Sequence, residues 1–202
     1  MKGSPMKSMK RLMTLFACLM MAYTIVRAGL KIGDEAPGFT LKNYDGKEYA
    51  LQNVLKDHRL TVVMFIATEC PVSNAYAERM VALHSMFDSM GVAFVGINSN
   101  RAESVDRIAS HAKEHGFLFP VLKDEHNAVA DLYGAQVTPE IFLLNPAGQL
   151  VYHGRIDDDR KGNDIRHHDL HDALSALLAG KDVAQAETKA FGCSIKRVEN
   201  PN

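Results

Sequence analysis

The feature that most constrains this chain is an apolar run, Leu60–Ile66, followed after a three-residue turn by Cys70 and Pro71. The length and β-branched content of the run predict a buried strand. Proline is favoured in the first turn of a helix, because its missing N–H is not needed there. The pattern therefore predicts a strand, a turn and a helix, with Cys70 at the N-cap of that helix.

This position favours a reactive thiol at Cys70. The first turn of a helix presents unpaired N–H groups and the positive end of the helix dipole, and both stabilise negative charge. The thiolate is the nucleophilic form of cysteine. We therefore predict that Cys70 is a nucleophile, supported by Pro71 at the helix start. The alternative is a buried, inert cysteine at the end of a strand.

Residues 1–28 have the pattern of a secretory signal peptide. Basic residues precede an apolar segment, Leu12–Val26, and Val26-Arg27-Ala28 offers a cleavage site after Ala28. The apolar segment is short for a membrane span, which leaves an uncleaved membrane anchor as the alternative. We predict a periplasmic or secreted protein, which contacts a membrane only if the leader is retained.

The charge of the remaining chain bears on its partners. The 202 residues carry a net charge of −1, but removal of residues 1–28 leaves 18 basic against 24 acidic residues. This mildly acidic remainder gives no electrostatic reason to bind nucleic acid. Cleavage would also remove Cys18, so that Cys70 and Cys193 would be the two cysteines in a compartment that permits disulfides.

The rest of the chain predicts one α/β domain over residues 29–180, followed by a tail, 181–202, that carries Cys193. Parallel strands joined by helices, then an antiparallel strand pair and a last helix, predict a mixed sheet covered by helices on both faces. An N-terminal β-hairpin is predicted around Asp45-Gly46. The other predicted elements are a helix from Cys70 to about Met90, a strand Val92–Ile97, helices Ser104–His115 and Glu125–Tyr133, strands Glu140–Leu144 and Leu150–Gly154, and a helix Asp169–Leu178.

Three segments, Gly33–Leu41, Phe65–Ser73 and Tyr133–Leu143, follow one another in the order and spacing of a known superfamily. They resemble the thioredoxin-like superfamily, and within it the peroxiredoxin-like redoxins, the alkyl hydroperoxide reductase and thiol-specific antioxidant family. The resemblance covers residues 32–179. It implies a three-layer thioredoxin-like fold and thiol-dependent redox chemistry without a cofactor. The implied partners are protein thiols or disulfides, or a peroxide with a thiol reductant.

The resemblance also implies a substrate groove beside Cys70. In the family, the bond between residues matching Thr138 and Pro139 is cis and faces the active-site cysteine, and the backbone matching Thr138 is free to pair with a substrate chain. Ser73 stands where thioredoxin-type reductases carry a second cysteine, so the adjacent resolving thiol is absent. The Ser73 hydroxyl is expected to donate a hydrogen bond to the Cys70 thiolate.

Three positions decide between the chemistries of the superfamily. Thr68 occupies the position typical of thioredoxins, whereas Ala67 stands where peroxiredoxins carry threonine. Pro139 falls near the position of the peroxiredoxin arginine. These features favour thiol–disulfide exchange over peroxide reduction. Glu69 is expected to raise the pKa of Cys70 if its carboxylate stays close and shielded from water.

Cys193 is the candidate resolving thiol for Cys70. The alternative is a tail cysteine that is structural or free. The predicted function is thus extracytoplasmic thiol–disulfide exchange through Cys70, with a thiol-dependent peroxidase and a non-catalytic binding module as alternatives. No metal site is predicted: His167 and His171 are assigned to the solvated face of the last helix.

Overall fold

The protein is described here by a computed structural model, which defines residues 29–199. The predicted leader lies outside the described residues. The strands are β1 (Thr40–Asn43), β2 (Glu48–Ala50), β3 (Leu60–Phe65), β4 (Val92–Asn98), β5 (Val121–Lys123), β6 (Val137–Thr138), β7 (Glu140–Leu144), β8 (Leu150–Gly154) and β9 (Cys193–Ser194). The helices are α1 (Leu51–Asp57), α2 (Pro71–Ala75), α3 (Ala77–Phe87), α4 (Val105–Glu114), α5 (Ala128–Tyr133) and α6 (Asp169–Leu178).

The main sheet has seven strands in the order β2-β1-β5-β4-β3-β7-β8. Strands β3, β4 and β5 are parallel, and β7 and β8 continue the sheet in antiparallel pairing. The N-terminal hairpin β1–β2 joins the opposite edge through β5. The predicted mixed sheet with an N-terminal hairpin is confirmed.

Strand β3 lies in the interior of the sheet, between β4 and β7, and both of its faces are apolar and buried. Successive side chains of a strand point to opposite faces. Val62 and Met64 pack with the buried sides of α3, α4 and α6. Val63 and Phe65 pack on the other face with α1 and α5. The result is the three-layer, thioredoxin-like arrangement that the resemblance implies.

The structure contains one helix that was not predicted and one predicted helix that is interrupted. Helix α1, between β2 and β3, is fixed to the core by the fully buried Leu51. The helix expected from Cys70 to Met90 is interrupted at Tyr76, where α2 ends and α3 begins, and it closes in a 3₁₀ turn, Asp88–Met90.

The tail is packed against the domain along much of its length. The main chain of His153 in β8 donates to the Ala186 carbonyl and accepts from the Thr188 N–H, both at 2.9 Å. Farther on, β9 pairs antiparallel with β6 in a separate two-stranded sheet. Within residues 29–199, no helix has the length and apolar character required to span a membrane.

Candidate active site

Cys70 lies where the sequence predicts, between the end of β3 and the start of α2. It is the N-cap residue, and Pro71 opens the helix. The main-chain N–H of Ser73 donates to the Cys70 Sγ at 3.3 Å. The Cys70 thiol donates to the Thr138 carbonyl oxygen at 3.2 Å. Cys70 is only 3% exposed, so the sulfur is covered by neighbouring groups.

The segment Val137–Thr138 provides the other wall of the site. The Thr138–Pro139 bond is cis, as the resemblance implies. The backbone of Thr138 is not free, however. It stands opposite Cys193 in the register of β6 and β9, and Val137 stands opposite Ser194.

Cys193 is therefore brought to Cys70 by the pairing of the tail with β6. Both cysteines are thiols in this structure. The two thiols lie close enough for each to shift the pKa of the other. Spacing in the sequence gives no sign of this, because 122 residues separate them and only the β6–β9 pairing closes the distance.

The surroundings shift the two thiol pKa values in opposite directions. Burial alone would raise the pKa of Cys70, but polar contacts with the side chains of Cys193 and Thr138 and with the Ser73 N–H outweigh it and lower that pKa. Burial raises the pKa of Cys193, and its contact with Cys70 raises it further. Cys70 is thus suited to be the thiolate and Cys193 the protonated partner.

Ser73 supports the site in a different way from the expected one. Its hydroxyl oxygen accepts the main-chain N–H of Ala67 at 3.3 Å and so braces the turn before Cys70. It is the Ser73 amide, not its hydroxyl, that donates to the sulfur. Because α2 has only five residues, this local N–H, rather than a long helix dipole, is the main helical contribution at Cys70.

Glu103 is a site-supporting residue that the sequence reasoning missed. Its carboxylate is buried and accepts the main-chain N–H groups of Thr68 at 2.6 Å and Glu69 at 3.3 Å. It also accepts from the side-chain amides of Asn98 and Asn100. Burial alone would raise the pKa of Glu103, but these donors lower it. Nothing near Cys70 in the sequence points to Glu103, which immediately precedes the N-cap of α4.

Thr68 and Glu69 contribute to the site mainly through their backbones. Their N–H groups are held by Glu103, which fixes the turn that leads into Cys70. The Glu69 side chain is half exposed and pairs with Arg107 at 3.0 Å. The condition under which Glu69 would raise the pKa of Cys70, a close and dry carboxylate, is therefore not met.

A second charged cluster lies behind α2. Arg79 pairs with the buried carboxylate of Asp157 at 2.6 Å, and its guanidinium lies over the Tyr76 ring at 3.7 Å. The Tyr76 hydroxyl donates to the Asp157 Oδ1 at 2.9 Å. Burial and then Asp157 raise the pKa of Tyr76, so it stays protonated at neutral pH. The Tyr76 ring also contacts Phe191 of the tail, with ring centroids 6.2 Å apart.

The sequence of this protein matches a known family over residues 32–153, the AhpC/TSA family. The chain belongs to the AhpC/TSA family. The matched region runs from the segment before β1 into β8 and includes Cys70, Thr138 and Pro139, whereas Cys193 lies beyond it.

Relatives of this AhpC/TSA protein fall into two groups of redox protein. The chain is 24% identical over 158 residues to the thiol-disulfide oxidoreductase ResA of Geobacillus thermodenitrificans. The matched region is 74% of this chain and 87% of the relative. It is 34% identical over 107 residues to the Helicobacter pylori protein named "Putative peroxiredoxin bcp". The matched residues are 52% of this chain and 67% of the relative. These relatives support a thiol-dependent redox function for the family member described here.

A solved structure of a hypothetical protein from Sinorhizobium meliloti is also similar. It superposes with a TM-score of 0.80 at 36% identity, covering 86% of this chain and 98% of the other. The likeness confirms the fold over nearly the whole described region.

Proposed function

We propose that this protein exchanges disulfides with partner molecules through a redox couple formed by Cys70 and Cys193. The observation that carries the proposal is the register of β6 and β9, which sets Cys193 opposite Thr138, whose carbonyl contacts the Cys70 sulfur. Because Ser73 replaces the adjacent cysteine of thioredoxin-type sites, Cys193 is the thiol that resolves the mixed disulfide on Cys70.

The reaction begins with the Cys70 thiolate attacking one sulfur of a partner disulfide. The other partner sulfur leaves as a thiolate and takes a proton from solvent. Cys193 then loses its proton and attacks the Cys70 sulfur of the mixed disulfide, which releases the second partner thiol. The partner disulfide is reduced to two thiols, and the Cys70 and Cys193 thiols are oxidised to one disulfide.

The oxidised couple returns to the dithiol by reaction with two external thiols, which become one disulfide: the first attacks the Cys70–Cys193 disulfide and the second attacks the resulting mixed disulfide. Cys193 is more exposed than Cys70, so an external thiol reaches its sulfur more easily. Cys70 is then the leaving thiolate, and a leaving group with a lower pKa departs faster. The opposite pKa shifts of Cys70 and Cys193 favour this order.

We place this activity outside the cytoplasm. The support is the signal-peptide pattern of residues 1–28. A two-cysteine couple is also suited to an oxidising compartment. The partners are then thiols or disulfides of proteins in that compartment.

Peroxide reduction is the second candidate, favoured by the 34% identity to the Helicobacter pylori protein. In that reaction the Cys70 thiolate attacks one oxygen of the peroxide and the O–O bond breaks. Cys70 becomes a sulfenic acid, and the other oxygen leaves as hydroxide or alkoxide and is protonated to water or an alcohol. Cys193 then condenses with the sulfenic acid and releases water. Ala67 and Pro139, in place of the peroxiredoxin threonine and arginine, make this the less favoured reaction.

The purified chain, treated separately with glutathione disulfide and with hydrogen peroxide, distinguishes the candidates. We expect faster loss of free thiols with glutathione disulfide, and loss of the Cys70 reaction in a Cys70→Ser variant. Faster consumption of peroxide would reverse the preference. A Cys70→Ser variant that matches the wild type in both assays would contradict enzymatic function and leave the non-catalytic binding module.

A further inference from the structure

The end of the tail, Phe191–Val198, forms a feature that we call the strap. Its β9 residues run antiparallel to Val137–Thr138. The Ile195 N–H continues the pairing by donating to the Gln136 carbonyl at 3.0 Å. The strap therefore lies as an extended peptide along the edge that leads to Pro139 and Cys70.

The strap is held in place beyond the β9 pairing. The side chain of Ile195 is buried in the core on the α1 and α5 face. Asn100 accepts the Lys196 N–H, and Asn127 accepts the Val198 N–H, both at 2.7 Å. The Arg197 guanidinium pairs with Asp131 at 2.8 Å. These contacts fix one register of the strap on β6.

Gly192 allows the strap to approach the Thr138 backbone. A Cβ atom at residue 192 would collide with the carbonyl oxygen of Thr138, which is the atom that accepts the Cys70 thiol. A side chain there would push the strap, and Cys193 with it, off its edge, while both cysteines stay in the chain. Ser194, two residues on, is exposed and imposes no such limit.

An unpaired strand edge binds extended peptides through main-chain hydrogen bonds, and side-chain positions then supply specificity. The strap is such a peptide, and it carries a cysteine in register with Thr138. We propose that the strap is a tethered competitor for the Val137–Thr138 edge, a proposal that rests on the proposed redox couple. A disulfide within an extended peptide then reaches Cys70 only when the strap is displaced.

This competition makes the protein react with small disulfides in preference to disulfides within extended peptides. A tethered segment competes at an effective concentration of about 1 mM or more, so a dilute peptide is strongly disfavoured. A small disulfide needs only a local displacement at Cys193, whereas a peptide must replace the β9 pairing. In either case the Cys70 thiolate bonds to the substrate sulfur, and the other substrate sulfur leaves as a thiolate.

Two mixed disulfides with the same coloured leaving thiol, 5-thio-2-nitrobenzoate, test the proposal on the full chain. One joins that thiol to cysteamine, and the other joins it to an extended ten-residue peptide with a single cysteine. Release of the coloured thiolate gives a second-order rate constant for each. Any change in the reactivity of Cys70 affects both, so the ratio of peptide to cysteamine rates reports access to the edge.

We expect Gly192→Val to raise this ratio about tenfold or more, because it removes the competitor. The matched control Ser194→Val, in the same segment with an exposed side chain, should leave the ratio unchanged. Arg197→Ala should raise the ratio less. This variant is used instead if circular dichroism shows that Gly192→Val does not fold. Faster tryptic cleavage at Lys196 would show that the strap is displaced.

An unchanged ratio in a folded variant with a displaced strap would overturn the competitor proposal while leaving the redox couple intact. The failure of the redox couple looks different. In that case the wild type would keep cysteamine or the peptide stably bound to Cys70 with Cys193 still a thiol, or neither reagent would react faster with the wild type than with a Cys70→Ser variant.

Discussion

The carboxylate of Glu103 accepts the main-chain N–H of Thr68 at 2.6 Å, two residues before Cys70. The same carboxylate accepts the Glu69 N–H and the side-chain amides of Asn98 and Asn100. A buried carboxylate with several donors remains ionised and fixes the groups around it. Glu103 is therefore a positioning residue that holds the turn from β3 into α2.

Replacing Glu103 with Ala should destabilise the protein and slow the reaction of Cys70. Four donors would lose their acceptor, and one unsatisfied buried group costs about 1–3 kcal/mol. Urea denaturation and the rate of Cys70 alkylation measure the two effects. The control is Glu69→Gln, which alters a half-exposed surface pair and should change stability by no more than about 1 kcal/mol. Equal effects of the two variants would contradict the role of Glu103.

The lowered pKa of Glu103 predicts a specific sensitivity to acid. A carboxylate whose pKa is depressed by folding stabilises the protein above its unfolded-state pKa, about 4.3, and this contribution is lost as pH falls through the folded-state value. The wild type should therefore lose stability as the pH falls below about 4. A Glu103→Gln variant should be less stable at neutral pH and show a shallower decline in acid. If the urea midpoints of the wild type and of Glu103→Gln fell by the same amount from pH 6 to pH 3, that result would contradict this prediction.

The cluster of Arg79, Asp157 and Tyr76 should matter for stability far more than a surface pair does. Arg79→Ala leaves the buried carboxylate of Asp157 without its cation and should cost about 3 kcal/mol. Arg166→Ala is the matched control, because its pair with Asp164 is exposed and such pairs contribute about 0–1 kcal/mol. Urea denaturation measures both changes. Similar losses in the two variants would show that the cluster does not support α2.

Cys193 should tune the pKa of Cys70 as well as react with it. Removal of the Cys193 thiol in a Cys193→Ala variant deletes a contact that lowers the Cys70 pKa. The pH midpoint of Cys70 alkylation should therefore lie below the ordinary value of about 8.5 in the wild type and move upward in the variant. Cys193→Ser keeps a polar side chain and should shift the midpoint less. An unchanged midpoint in Cys193→Ala would rule out this contact as a cause.

The sequence predicts the layers of this fold well, because its patterns are local. The apolar run of β3, the turn at Asp45-Gly46 and the proline after Cys70 each determine their own short segment. The break at Tyr76 could not be predicted in this way, because it accompanies contacts with Asp157 and Phe191, which are distant in the chain.

The same distinction applies to the candidate site. Cys70, Pro71 and the Thr138–Pro139 bond lie in motifs and are recognised from the sequence. Glu103 and the partnership of Cys70 with Cys193 depend on tertiary contacts, from the loop after β4 and from the pairing of β9 with β6. No periodicity or spacing in the chain records either contact.

The most direct test of this account is the mass of the chain after mild oxidation with glutathione disulfide, followed by peptide mapping without reduction. We predict a loss of about 2 Da as two thiols form one disulfide. We also predict a single linked pair of peptides that contain Cys70 and Cys193, absent from both Cys70→Ser and Cys193→Ser variants. A chain that instead carries glutathione stably on Cys70, with Cys193 still free, would contradict the proposed couple.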